Sequence, residues 1–172
     1  MNARKALFLG LMVADGCVSG YDTHVEFYNE NPQLRHLVIT LIREFGRNPR
    51  ERRRWNGWKV YAYAPELAEE VRRYKEHPEL LLKLSDEHAK HFLRGFILGD
   101  GSLTSYPVKI EIVQFDTKRR KVIKTLLERL GYIVGESMRW KKLWITGRQQ
   151  ERLVKELELE AFIFGPKSKH AL

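Results

Sequence analysis

Two aspartates stand where helix physics disfavours them. Residues 11–20 read LMVADGCVSG and residues 96–105 read FILGDGSLTS. In each, an apolar helical run ends on an acid followed by glycine: Asp15–Gly16 and Asp100–Gly101. A carboxylate at a helix C-terminus faces the partial negative end of the dipole, which costs about 0.3–1 kcal/mol. A lone Asp-Gly after an apolar helix reads as a plain C-terminal turn. Two of them at equivalent positions call for a reason, and capture of a divalent cation supplies one. The cation relieves both the repulsion between the acids and the dipole penalty.

The two acids belong to an internal duplication. Sliding the chain by 85 positions, from Phe8 on Leu93 to Val60 on Ile145, needs no gap and leaves 12 of 53 aligned pairs identical. Among them are Gly10/Gly95, Tyr21/Tyr106, Glu26/Glu111, Arg35/Arg120, Gly46/Gly131, Glu51/Glu136 and Trp55/Trp140. Self-similarity of this length is the chain's main organisational signal.

Each copy reads as helix, two strands, helix, two strands, helix. The first helix is apolar almost all round (ALFLGLMVADG and HFLRGFILGDG). HVEFYNE and KIEIVQF alternate with period two, as half-buried strands do. Amphipathic helices follow, on Leu34, Leu37, Val38, Leu41 and Ile42, then on Val122, Ile123, Leu126 and Leu127; Gly46 and Gly131 end them. A last helix is expected near Pro65 and near Arg148. The fold class is therefore α+β, a pseudo-twofold duplication of an αββαββα unit. The division is residues 1–76 for the first repeat, 77–86 for a linker and 87–172 for the second.

Glycine inside a helix costs about 1 kcal/mol against alanine. Yet Gly10 and Ala14 are four apart, as are Gly95 and Gly99, so each pair lies on one helix face. Small residues on a common face let two backbones approach closely. The two motif helices are thus expected to pack together at the centre and to deliver Asp15 and Asp100 side by side.

Composition narrows the partner. Of 172 residues 43% are hydrophobic, enough for a core, and the net charge is +9. That balance favours a polyanion, nucleic acid ahead of a membrane surface. No apolar run approaches the ~18 residues of a membrane span. Cys17 is the only cysteine, which excludes an internal disulfide and a cysteine zinc cluster. A monomer in the cytoplasm, with the nucleoid when on DNA, is the expectation. The Glu, Lys and Arg richness, with few Asn, Gln and Cys, leans towards a thermophile.

FLGLMVADG and LRGFILGDG resemble the paired signature of the LAGLIDADG homing endonucleases, single-chain, two-motif and intron-encoded, over almost the whole chain. The resemblance implies two antiparallel four-stranded sheets forming a DNA-binding saddle, with the motif helices as its spine. It implies that Asp15 and Asp100 bind Mg²⁺, with Mn²⁺ or Ca²⁺ able to take the same sites, and that the carbonyls of Ala14 and Gly99 join them. The activity implied is intron homing through a double-strand break with short 3′ overhangs, in a long, roughly palindromic target. A catalytic lysine is expected after the last helix of each half: Lys83 in the first, Lys167 or Lys169 in the second. Asn29 and Gln114 resemble the family's metal- and water-organising amides, or else cap their strands. The sequence departs from the signature at Phe8, Arg94, Val13 and Leu98, none of which is an acid position.

Base contacts are expected from the polar strand face, His24, Glu26, Tyr28, Lys109 and Glu111. The densest positive charge is RERRRW and RWKK, giving Arg50, Arg52, Arg54, Arg139, Lys141 and Lys142 as phosphate or guanine contacts. Trp55, Trp58, Trp140 and Trp144 interleave with it, at spacings that read as sheet core ahead of stacking platforms. The alternative function is an RNA-splicing maturase that binds intron RNA on the same scaffold. Retention of both acids favours the nuclease.

Overall fold

The computed structural model describes residues 1–55, 57–105 and 108–160. The first repeat runs α1 (Ala3–Ala14), β1 (Gly16–Ser19), β2 (His24–Tyr28), α2 (Pro32–Glu44), β3 (Arg50–Arg54), β4 (Gly57–Tyr63) and α3 (Pro65–Glu76). The second runs α4 (Asp86–Asp100), β5 (Gly101–Ser105), β6 (Val108–Val113), α5 (Thr117–Arg129), β7 (Gly135–Ser137), β8 (Lys142–Thr146) and α6 (Gly147–Glu156). A short 3₁₀ helix, Pro78–Lys83, bridges them.

Local chemistry sets the helix ends. The Asn2 side chain accepts from the Lys5 amide at 2.8 Å, and Ser85 Oγ accepts from the His88 amide at 3.3 Å. α2 and α5 stop in the same way: Gly46 and Gly131 take φ +72° and +82°. The next amides, Arg47 and Tyr132, reach back to the Ile42 and Leu127 carbonyls.

Each repeat forms one antiparallel four-stranded sheet, ordered β1-β2-β4-β3 and β5-β6-β8-β7. Alternation decides the faces. Val25, Phe27, Val60 and Ala62 turn to the helices in one sheet, and Ile110, Ile112, Leu143 and Ile145 in the other. His24, Glu26 and Tyr28 turn to the opposite, open face, with Arg50, Arg52 and Arg54 on the edge strand beside them. None of the helices is long and apolar enough to cross a membrane among the described residues.

Two expectations are corrected. The 85-residue offset holds through Glu51 and Glu136, which sit opposite Val60 and Leu143, but the last strands are two positions closer. Residues 53–58 join the pair Arg52/Lys59, whereas residues 138–141 join the pair Ser137/Lys142, so Lys59 corresponds to Lys142 and not to Trp144. Trp55, Trp140 and Trp144 are not core: the first two are 97% and 62% exposed, and Trp144 alternates with buried Leu143 and Ile145 and so faces the open side of its sheet. Trp55 and Trp140 sit at hairpin tips, and on the first arm every residue of β3 is exposed.

Glycine positions the spine. A β-carbon added at Gly10 would lie 2.0 Å from the Phe92 carbonyl oxygen, and one at Gly95 2.2 Å from that of Leu7. The contact is reciprocal, as a twofold arrangement requires. One turn on, a β-carbon at Gly99 would meet Ala14 Cβ at 2.6 Å. α1 and α4 therefore touch backbone to backbone along the faces that hold the small residues.

Candidate active site

Both acids emerge from this crossing. Asp15 caps α1 and Asp100 is the last residue of α4. A β-carbon built on Gly99 would stand only 3.7 Å from Asp15 Cβ, so the residue before Asp100 touches Asp15.

Each carboxylate is aimed by an amide from the end of the neighbouring strand. Asn29 Nδ2 donates to Asp15 Oδ2 at 2.9 Å, and Gln114 Nε2 donates to Asp100 Oδ2 at 3.1 Å. The amides are themselves oriented. Asn29 Oδ1 accepts the Asn31 backbone N–H at 2.8 Å, and Gln114 Oε1 accepts that of Asp116 at 3.1 Å. With its oxygen engaged, each side chain must turn its NH₂ group to the acid. Behind them, Arg35 Nη1 donates to the Asn29 carbonyl at 3.2 Å and Arg120 Nη1 to the Gln114 carbonyl at 2.9 Å. Those arginines pair with Glu51 and Glu136 on β3 and β7. The identical residues of the two repeats thus support a three-step relay from edge strand to acid.

The fold also brings two cations here that the sequence reading did not single out. Lys75, from α3, donates through Nζ to the main-chain oxygen of Gly16. Arg119, from α5, donates through Nη2 to the Lys75 carbonyl at 3.3 Å, and its Nε is buried without a partner among the described residues. Both left a trace in the sequence. Lys75 lies four residues after buried Val71 and seven after Ala68, a lysine on the core stripe of α3. Arg119 replaces the buried Leu34 of the first repeat.

Electrostatics follows from the crowding. Burial raises the Asp15 carboxyl above its ordinary value, against the Asn29 bond and the charge of Lys75. Burial and then the Asp15 charge push Asp100 up to about 6, against Arg119, Lys75 and Gln114. Burial and then Arg119 lower Lys75, while Cys17, Asp100 and Asp15 hold it up.

A divalent cation fits this donor set. The acids are hard oxygen ligands, the charge of Asp15 raises the protonation of Asp100, and the main-chain oxygens of Ala14 and Gly99 adjoin them. Among the described residues no cluster of three or more His, Cys, Asp or Glu forms a closed cage. A few ligands with room for water and phosphate is the Mg²⁺ pattern.

The remaining candidates divide. Lys83 is exposed and lines a cavity with Met1, Tyr74 and His88, at the N-terminal ends of α1 and α4, whereas the acids stand at their C-terminal ends. The lysine brought to Asp15 is Lys75 instead; a helix of 12 residues, some 18 Å long, separates the two ends. Lys167 and Lys169 lie outside the described residues.

Glu26 is committed: it accepts from Ser19 Oγ (2.5 Å), the Tyr28 hydroxyl (2.6 Å) and Lys59 Nζ (2.9 Å). Burial raises its carboxyl, but those bonds prevail and bring it to about 2. Glu111 likewise pairs with Lys109 (2.7 Å) and Lys142 (3.1 Å). His24 packs edge-on against Tyr63. At the second tip Arg139 lies over Trp140 and Lys141 over Phe115. Arg50 and Arg52 are exposed, with no ion pair or hydrogen bond among the described residues.

Comparison with known proteins agrees with this architecture. A family model described as LAGLIDADG-like domain matches residues 2–79 and 87–162. The chain superposes on the homing endonuclease I-DmoI (mesophilic variants) with TM-score 0.68 at 14% identity, over 90% of this chain and 94% of that one. I-DmoI in complex with DNA and Ca gives 0.68 and 14%, over 90% and 88%. Other I-DmoI structures hold target DNA with Mn or Mg. Full-length DUF199/WhiA from Thermatoga maritima gives 0.67 and 17%, over 91% of this chain and 55% of that. A curated relative from Methanopyrus kandleri, a component of the A-type ATP synthase, is 28% identical over 153 residues, 87% of this chain. The chain spans about 15% of that relative's length. With two domain-length matches in register with the duplicated spine, the chain belongs to the LAGLIDADG family.

Proposed function

We propose that this protein is a metal-dependent, site-specific endonuclease that cuts both strands of a long DNA duplex to leave short 3′ overhangs. The observation that carries the reading is the placing of Asp15 and Asp100 at the helix crossing, each aimed by an amide and flanked by Lys75 and Arg119. Nothing in helix stability favours that arrangement. The DNA and divalent metals in the I-DmoI structures support the substrate and cofactor classes.

The two carboxylates, with the carbonyls of Ala14 and Gly99, would hold Mg²⁺. When bound, such ions lower the pKa of water and neutralise charge on a phosphate under attack. Asn29 and Gln114 fix the carboxylate planes. Lys75 and Arg119 present positive charge where a scissile phosphate gathers negative charge, in a partly buried setting that strengthens the interaction. Duplex binding draws on the open sheet faces, where Arg54, Arg139 and Lys141 supply phosphate contacts and Arg50 and Arg52 face the groove.

The test is cleavage of DNA spanning the intron-less allele of the host gene, in Mg²⁺ and then in EDTA. Metal-dependent double-strand cutting is expected, lost in Asp15→Asn and Asp100→Asn with binding largely kept. No cut in any metal, together with tight binding of intron RNA, would overturn the proposal.

A further inference from the structure

The inference rests on the reading above, that duplex DNA lies along the open faces of both sheets, and adds which bases each half reads. The repeats are alike at the spine and unlike at their outer strands. Strand register places Cys17, Glu26, Tyr61 and Arg50 in one row across the first sheet. The matching row of the second sheet is Ser102, Glu111, Trp144 and Gly135. One row further out, Tyr28, Lys59 and Arg52 answer to Val113, Lys142 and Ser137.

The inner charges of both faces are engaged in ion pairs, with Lys109 and Lys142 sharing Glu111 in the second. Lys59 is bound to Glu26 and lies over the Tyr61 ring, and Lys142 is bound to Glu111. Discrimination falls to the outer strands. In the first sheet these carry Arg50 and Arg52, exposed and unpaired among the described residues, with Arg50 in a shallow pocket beside His24, Tyr61 and Tyr63. In the second sheet the same positions are Gly135 and Ser137. There the Trp144 indole lies across the strand so closely that a β-carbon at Gly135 would stand 2.2 Å from its Cε2 and Nε1. Leu143 and Ile145 are buried on the helix side, which turns Trp144 to the open face.

These surfaces suit different base edges. A guanidinium fork matches guanine O6 and N7, whereas an indole plane offers apolar contact, for which the thymine methyl is the fitting group in the major groove. We infer that Arg50 and Arg52 select guanines in the half-site under the first sheet, and that Trp144, seated over Gly135, selects thymine through its methyl group in the other. The recognition site is then not a palindrome, although the enzyme is a repeat.

The full chain is offered a pool of duplexes with a randomised segment longer than two helical turns, and the bound fraction is sequenced. A consensus with unlike halves is expected. In the selected duplex, 7-deazaguanine in place of guanine in one half weakens binding about ten- to a hundredfold for the parent protein, and far less for Arg50→Gln and Arg52→Gln. Deoxyuridine in place of thymidine in the other half, which removes only the methyl group, weakens the parent several-fold and leaves Trp144→Gln indifferent. Trp144→Tyr, the first repeat's residue at this place, serves if that variant does not fold. A palindromic consensus, or arginine variants that lose affinity equally for every sequence, overturns the inference alone. Failure to enrich any duplex overturns the DNA reading and the inference with it.

Discussion

Arg120, 1% exposed, donates to the main-chain oxygen of Gln114 at 2.9 Å, so the residue that aims Asp100 is itself held from behind. Its Nε meets Glu136 at 3.1 Å, and Glu136 keeps a second partner in Lys124. Removing one member of a buried pair leaves its partners unsatisfied and typically costs 3–5 kcal/mol. Because Lys124 remains, Arg120→Met is expected to cost about 3 kcal/mol, at the lower end of that range. Urea denaturation at neutral pH measures it. A loss below about 0.5 kcal/mol, the usual surface value, would show that the relay does not hold the site.

The spine makes a sharper demand. Gly10→Ala and Gly95→Ala each drive a β-carbon onto a backbone carbonyl oxygen, which no rotamer change relieves. Each is expected to cost more than about 3 kcal/mol, since overpacking between rigid backbones sits at the top of its range. Gly46→Ala meets nothing within 4 Å and bears only its positive φ of 72°, so about 1 kcal/mol is expected. Denaturation midpoints of the three variants should separate accordingly.

These glycines, the paired acids and the order of elements were legible because each rests on local spacing: i to i+4 on a helix, period two on a strand, a fixed offset between repeats. The amides were legible as a pair, Asn29 and Gln114, though their hold on the acids was not. Lys75 was missed because the family resemblance pointed past the last helix to Lys83, while the buried stripe of α3 is what turns Lys75 inward. The exposed tips at Trp55 and Trp140 were misread for a related reason: alternation tells two faces of a strand apart, but not where the helix layer beneath it ends. The hairpin of unequal length hid in an ungapped match that only pairing register could divide.

Asp100 ties stability to pH. Its folded value of about 6 lies above the ordinary 3.8, so the folded state holds the proton more tightly than the unfolded one. The contribution of Asp100 to metal-free stability should therefore be fully present below pH ~4 and be lost as pH rises through about 6. For a partly buried group the loss is about 2 kcal/mol after allowance for solvent screening. Asp100→Asn should remove that slope and melt higher than the parent protein at pH 7.5 without metal. Mg²⁺ should raise the parent's melting temperature there and leave the variant unmoved, as linkage to a site in the folded state requires. A parent protein whose stability is flat between pH 4 and 7 would contradict the burial of this acid.

Lys75 and Lys83 make opposing predictions for catalysis. Lys75 touches the main chain next to Asp15 and feels both acids, whereas Lys83 is exposed at the far end of the spine. Charge placed at a developing transition state is typically worth 10²–10³ in rate when one group is removed. Lys75→Met should therefore lower single-turnover cleavage by about a hundredfold or more, with duplex affinity within a few-fold of the parent's. Methionine keeps the length of the stem but leaves the Gly16 carbonyl and both acids without that cation, so a modest loss of stability is expected beside the loss in rate. Lys83→Met should cleave as the parent does. Single-turnover rates on one duplex, with affinity measured in Ca²⁺, separate the two. Equal loss in both variants, or loss in Lys83→Met alone, would return the catalytic assignment to the lysine that the family resemblance first suggested.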